Sequence, residues 1–270
     1  MASADQYPEG EALSSPYHLQ TVNYLDVPSH GMGTHDVERM FWAPHPQILD
    51  ALGRRLDTMG VTERVVDVGA GYTPFPRATH LLDWNHTEVP SGGKVVFQTD
   101  LDYDRLPYED GYFSFAYSRH TLEDLQNPLH AFQEITRVSP RGYIETPSPM
   151  IEMLRDVDAG SMASQYRGYR HHRYIVWSDW SSNTLYFLPK LPLVEYLAIP
   201  ETDVARMTYL ANHYPVYWNN YYIWDAARPP HVVVYRNDVN MSIADGDYER
   251  LVGEAIMASM TYTDAFVRLL

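Results

Sequence analysis

The sequence of 270 residues contains no cysteine. This absence excludes disulfide bonds, zinc sites built on thiolates and cysteine nucleophiles. Basic residues are also scarce, since 20 lysines and arginines stand against 35 aspartates and glutamates and give a formal net charge of −15 at pH 7. A protein with this charge repels phosphate backbones, and we therefore expect no nucleic acid among its partners.

Long apolar runs are missing as well. No segment approaches the ~20 consecutive apolar residues that a membrane-spanning helix needs. The first sixteen residues contain neither a basic region nor an apolar run of the kind found in secretory signals. These features predict a cytoplasmic protein that has no membrane partner and whose length suits one substantial core with a small elaboration.

Short apolar runs alternate with helical patterns in the first half of the chain. Helices are predicted over about 44–59, where leucines recur at helical spacing, and over 127–138, where an asparagine cap precedes a proline. Five strands are predicted, at residues 64–68, 79–83, 94–98, 113–118 and 142–146. Strands that alternate with helices at this spacing predict an α/β fold with a mostly parallel sheet covered by helices on both faces.

After residue 150 the pattern changes, because tyrosine and tryptophan become frequent between residues 166 and 235. Two hairpins are predicted, one from 174–177 with 184–188 and one from 221–224 with 231–235. A helix is predicted over 245–270. The resulting layout has four parts: an N-terminal arm or lid at 1–40, an α/β core at 41–150, a β-rich insertion with the last core strands at 151–240, and a C-terminal helix at 241–270.

A glycine loop, Gly69-Ala70-Gly71, follows Asp67 at the end of the first predicted strand. Glycines let the backbone approach a ligand closely, and ligands of open α/β sheets bind at the carboxyl ends of strands. Asp83 ends the second predicted strand, and Asp100 and Asp102 follow the third. Carboxylates there can accept ribose hydroxyls or read an adenine edge. The loop lacks phosphate-binding spacing, so the pattern predicts a nucleoside-like ligand without phosphate; the alternative is a tight turn with solvated aspartates.

Several segments together carry a family resemblance, at residues 67–71, 106–115, 120–124, 127–138 and 141–148. In their order and spacing they resemble class I S-adenosylmethionine-dependent methyltransferases, in the branch labelled methyltransferase type 11. The resemblance spans about residues 62–190. It implies a Rossmann-like fold with a seven-stranded, mostly parallel sheet, S-adenosylmethionine as cofactor, and methyl transfer to an oxygen or nitrogen of a small molecule.

The resemblance also implies roles for individual residues. His120, after the fourth predicted strand, is the candidate catalytic residue, since an imidazole can accept a proton near pH 7. The alternative is that His120 only hydrogen-bonds neighbouring backbone. His172 and Tyr72 are candidate substrate-binding residues. The candidate cofactor-binding residues are Asp67, Gly69, Ala70, Gly71, Asp83, Asp100, Leu101, Asp102, Ser118 and Arg119.

Two departures from the family pattern keep other functions open. Residues 72–76, with two prolines, replace a small residue of the glycine loop, and Asp124 replaces the second histidine of a His-x-Leu-Glu-His motif. The alternatives are a regulatory or scaffold protein that binds the cofactor without turnover, and an S-adenosylmethionine enzyme with another reaction.

Metal binding and association are the remaining expectations from the sequence. Adjacent His171 and His172 would point in different directions on a strand, so we expect no metal site. The aromatic stretch could line an acceptor pocket, pack a β-rich cap or form a homodimer interface.

Overall fold

The structure is a computed structural model that describes residues 45–84, 91–158, 165–236 and 246–270. The arm predicted at residues 1–40 lies outside these ranges. The described α-helices are α1 (Pro46–Thr58), α2 (Pro128–Val138), α3 (Pro149–Met153), α4 (Glu201–His213) and α5 (Asp247–Leu269). The described strands are β1 (Val65–Val68), β2 (His80–Asp83), β3 (Val95–Gln98), β4 (Phe115–Arg119), β5 (Gly142–Pro147), β6 (Tyr174–Asp179), β7 (Thr184–Pro189), β8 (Asn219–Trp224) and β9 (His231–Val234).

The five strands predicted in the first half of the chain form one sheet. Its order is β3-β2-β1-β4-β5-β8, with β1 to β5 parallel and β8 antiparallel to β5. This mostly parallel arrangement confirms the predicted α/β, Rossmann-like fold class. Within the described residues this sheet has six strands, whereas the family resemblance implied seven.

The strand order fixes where a ligand can bind. From β1 the chain moves outward to β2 and β3, and it then returns to place β4 on the other side of β1. Such a reversal opens a crevice outside the carboxyl ends of the two central strands. Val68 pairs with Ser118 at the carboxyl ends of β1 and β4, so the glycine loop and His120 begin side by side.

A second sheet has the strand order β6-β7-β9. It shows that one of the two predicted hairpins forms and that the other does not. The first hairpin is confirmed, since β6 and β7 pair antiparallel. The second hairpin is wrong: β8 pairs with β5 in the central sheet, and β9 runs parallel to β7. All six residues of β8 are buried although β8 is the edge strand of the described sheet, because α5 packs against it.

The aromatic residues of the second half largely build the core. Tyr221, Tyr222 and Trp224 of β8 are fully buried, and Tyr221 stacks on Phe266 of α5 with ring centroids 5.0 Å apart. The Tyr262 hydroxyl of α5 accepts a hydrogen bond from the backbone of β8 at 2.9 Å. Packing therefore accounts for these aromatic residues. No helix in the described ranges is long and apolar enough to cross a membrane.

Candidate active site

The glycine loop and Asp83 form one hydrogen-bonded unit at the carboxyl ends of β1 and β2. The N–H groups of Gly69 and Ala70 both donate to the carbonyl of Leu82, at 2.8 and 3.2 Å. The N–H of Gly71 donates to the Asp83 carboxylate at 2.9 Å. The predicted loop and the predicted ribose-binding carboxylate thus lie in direct contact.

Gly69 is required by its contact with Thr121. Its φ of +76° lies in the left-handed region, which side chains other than glycine adopt with strain. A Cβ atom at Gly69 would stand 2.0 Å from the hydroxyl oxygen of Thr121. Thr121 is thus a loop contact that the motif did not reveal, and the close approach of the loop to a ligand stays a prediction.

Asp67 supports the far side of the loop from inside the core. The carboxylate accepts a hydrogen bond from the N–H of Phe75 at 2.6 Å, and Phe75 stacks on Tyr117 with centroids 4.4 Å apart. Burial raises the pKa of Asp67 to about 7, although the bond from Phe75 and the nearby charge of Arg119 oppose the shift. Asp67 therefore orders the proline-containing segment after the loop.

Three aromatic side chains surround the same end of the sheet. Tyr72 follows the glycine loop, Trp84 follows β2 and Tyr103 lies beyond β3, with exposed fractions of 67%, 76% and 67%. Exposed aromatic faces at strand ends can stack on a planar ligand such as adenine. Sequence reasoning missed Trp84, although its place directly after Asp83 was a usable signal.

The acidic residues after β3 bond to their own surroundings. The Asp100 carboxylate accepts from the N–H of Asp102, and the Asp102 carboxylate accepts from the N–H of Asn127 at 2.8 Å, which ties this loop to the start of α2. Leu101 is buried in the core. These contacts explain the residues structurally, and their proposed role at the adenine stays a prediction.

Ser118 and Arg119 end β4 in different environments. The Ser118 hydroxyl is fully buried and donates to the carbonyl of Val68 at 2.8 Å, so it joins β4 to β1. The positive charge of Arg119 acts on several buried groups, among them Asp67, Tyr117 and Glu145. Arg119 thus supplies a cation between the glycine loop and the end of β5.

His120 lies between two buried carboxylates. Its φ is +49°, its N–H donates to the carbonyl of Glu145 at 2.9 Å, and 16% of its side chain is exposed. Its Nδ1 is 3.7 Å from Glu123 Oε1 and its Nε2 is 3.9 Å from Glu145 Oε1. Burial, assisted by the charge of Arg119, holds the pKa of His120 well below its usual range. The ring is therefore neutral at pH 7 and can accept a proton.

Glu145 is a site residue that sequence reasoning missed. Its carboxylate accepts hydrogen bonds from the Tyr143 hydroxyl and, at 2.7 Å, from the Asn219 side chain. Burial raises its pKa, although Arg119 opposes the shift. A charged residue within the apolar run of β5 was the signal, since buried carboxylates are rare without partners.

His172 lies within the same region, in a buried network behind His120. Its Nδ1 is 2.6 Å from Glu152 Oε1, and Lys190 donates to the other oxygen of Glu152. His171 and His172 lie in the turn before β6, with ring centroids 4.4 Å apart. The two histidines are therefore not on a strand. The geometric reason for which we expected no metal site is wrong. Tyr72 lies apart, on the exposed rim.

Comparison with family models identifies the segment that contains this site. A family model described as a methyltransferase domain matches residues 66–145, from β1 to β5. A search of curated proteins finds no match. Similar solved structures include an S-adenosylmethionine-dependent methyltransferase from Mesorhizobium loti, with 25% identity over 34% of this chain and 50% of that one and a TM-score of 0.29.

Two further solved structures have comparable similarity. A putative sarcosine dimethylglycine methyltransferase from Galdieria sulphuraria is 20% identical, over 44% of this chain and 50% of that one, with a TM-score of 0.32. An S-adenosylmethionine-dependent methyltransferase from Archaeoglobus fulgidus is 18% identical, over 43% and 59%, with a TM-score of 0.35. The chain spans about half the length of the solved structures it matches, and these low TM-scores leave identification to the family match. Over residues 66–145 the chain therefore matches the methyltransferase domain of the type 11 family, a match that implies S-adenosylmethionine as the cofactor.

Proposed function

We propose that the protein is an enzyme that transfers the methyl group of S-adenosylmethionine to an oxygen or nitrogen atom of a small molecule. One observation carries this proposal. The glycine loop, bonded to Asp83, lies at the carboxyl end of β1, and a neutral, mostly buried His120 follows the neighbouring strand β4.

The residues around the loop fit an adenosine group. Asp83 offers a carboxylate in a position suited to ribose hydroxyls, and exposed Tyr72 and Trp84 flank it with faces suited to a purine. The loop has no basic side chain for a phosphate, which suits a cofactor that contains none. When bound, S-adenosylmethionine supplies an already activated methyl group, so the protein must chiefly align the acceptor and exclude water.

The groups near His120 suit an acceptor that loses a proton. A neutral imidazole can take the proton from a hydroxyl or amine, and the Glu145 carboxylate can then stabilise the imidazolium. The small exposed fraction of His120 and the strongly negative net charge favour a small molecule over a nucleic acid.

Cofactor binding tests the proposal first. We expect calorimetry to show binding of S-adenosylhomocysteine, the demethylated product, with micromolar affinity. A panel of small alcohols, phenols and amines, incubated with S-adenosylmethionine and analysed by mass spectrometry, should then yield a product heavier by one methyl group. The absence of both heat and thermal shift with either cofactor form would contradict the proposal.

The variant His120→Ala separates a catalyst from a cofactor-binding protein. It should retain affinity for S-adenosylhomocysteine and lower kcat by ~10²–10⁴, the usual contribution of a general base. His130→Ala, on α2, is the matched control and should leave kcat unchanged. A rise in KM alone would show that His120 positions the acceptor, and cofactor binding without any product would favour a regulatory or scaffold role.

A further inference from the structure

A compact group of nitrogen and carboxylate ligands lies where the 3₁₀ turn at Leu122–Asp124 meets the turn before β6. We call Glu123, Asp124, His171 and His172 the histidine–carboxylate cluster. One ligand atom from each of Asp124, His171 and His172 lies within 4.8 Å of the others. This mixed imidazole and carboxylate set is typical of sites for divalent transition metals.

Glu123 supplies a second, independent indication of a cation. Its side chain is fully buried, and neither carboxylate oxygen has a hydrogen-bond partner from another residue in the described parts of the chain. One of these oxygens faces His120 Nδ1 at 3.7 Å and His172 Nε2 at 4.0 Å. A buried carboxylate without donors is costly, because it has lost its hydration without replacement.

The distances within the cluster suit a shared ion better than direct hydrogen bonds. His171 Nε2 is 3.8 Å from Asp124 Oδ2, and His172 Nε2 is 4.0 Å from Glu123 Oε1. Hydrogen bonds between such atoms measure about 2.7–3.2 Å. Two ligand atoms that each lie about 2.0–2.2 Å from one zinc ion are at most about 4.4 Å apart. Small side-chain rotations would complete the coordination.

Glu152 fixes the orientation of the His172 ring. The Glu152 carboxylate, ion-paired with buried Lys190, can only accept a hydrogen bond, so His172 Nδ1 carries the proton and donates it. In the neutral ring, this leaves the Nε2 lone pair directed away from Glu152, and Nε2 is the atom that faces Glu123. A carboxylate that orients a histidine in this way is a regular companion of metal-ligating histidines.

We propose that the histidine–carboxylate cluster binds one divalent transition-metal ion. His171, His172 and Asp124 would each supply one ligand atom, and Glu123 would supply a carboxylate oxygen as the fourth. The ion would lie beside His120, whose Nδ1 is 3.7 Å from Glu123 Oε1. This proposal does not depend on methyl transfer, since metal binding can be measured without cofactor or acceptor.

Cobalt titration tests the proposal, because Co²⁺ takes the ligands of Zn²⁺ and absorbs visible light when it binds. The full chain, without a histidine tag and freed of metal by a chelator, should bind one equivalent of Co²⁺ and develop the absorption of a four- or five-coordinate ion. Zn²⁺ should displace the Co²⁺ and raise the melting temperature of the protein.

Three variants distinguish a metal site from a structural network. His171→Ala, at a half-exposed side chain, and Asp124→Asn, which preserves shape, should each weaken Co²⁺ binding by roughly 10- to 100-fold or more. His213→Ala, at an exposed histidine of α4, should bind Co²⁺ like the parent. The proposal is overturned if the metal-free parent binds less than one equivalent, or if the first two variants bind Co²⁺ as tightly as the parent and change only the melting temperature.

Discussion

The two sides of the crevice are built in different ways. On the proposed cofactor side, at the ends of β1 and β2, short-range backbone hydrogen bonds shape an exposed loop around Asp83. On the proposed acceptor side, beyond β4 and β5, buried side chains from segments far apart in the chain converge on His120. The first side follows from a local motif, whereas the second exists only through tertiary packing.

The largest expected effect sharpens this comparison on the acceptor side. Glu152→Gln leaves Lys190 buried without a charged partner, and breaking a buried pair in this way costs about 3–5 kcal/mol. The control Glu254→Gln removes an exposed ion pair with Arg250 on α5, which solvent screens and whose loss should change the stability far less. Urea denaturation should separate the two variants clearly, and equal losses of stability would show that the buried network contributes little.

The next effect tests whether backbone strain or the contact with Thr121 requires a glycine at position 69. Gly69→Ala combines left-handed strain with a clash against Thr121 and should cost about 2–4 kcal/mol. Gly71→Ala is the matched control, because its φ of +51° carries the strain while its Cβ meets no atom closer than 4.0 Å; about 1 kcal/mol is expected. Similar free energies of unfolding for both variants would remove Thr121 from the explanation.

A smaller effect concerns ligand binding by Asp83. Asp83→Asn keeps an oxygen that can accept from Gly71 but loses the charge that ribose hydroxyls would meet. The free energy of S-adenosylhomocysteine binding should become about 1.5–3 kcal/mol less favourable. Asp50→Asn, at an exposed position of α1, is the control for calorimetry. Unchanged affinity in Asp83→Asn would place the ribose elsewhere.

The smallest effect is a pH dependence that originates beneath the loop. Because the folded pKa of Asp67 is raised from 3.8 to about 7, the folded state binds more protons than the unfolded state between these values. The stabilisation that this extra proton binding gives to the folded state is fully present below pH 3.8 and is lost as the pH rises through 7. Between pH 5 and pH 7 the free energy of unfolding of the parent, measured by urea denaturation, should fall by about 2 kcal/mol relative to that of Asp67→Asn. Parallel stability curves would contradict the raised pKa.

Local patterns predicted most of the central sheet but not the strand that completes it. Strands β1 to β5 form within two residues of their predicted ends, because short β-branched runs between turn residues need little tertiary context. The partner of β8 depended on which surface could bury all six of its residues. A nearby strand, β9, was the wrong choice because burial outweighed proximity in the chain.

The sequence by itself determined the parallel α/β core, the glycine loop and the acidic residue that ends β2. These features rest on period, turn residues and strand order, which are local properties. Only the tertiary structure decided that Thr121 occupies the space above Gly69, and that Glu123, Glu145 and Glu152 surround two histidines from different segments. Carboxylates take such positions only when distant segments supply the burial and the charges, and no local pattern encodes that meeting.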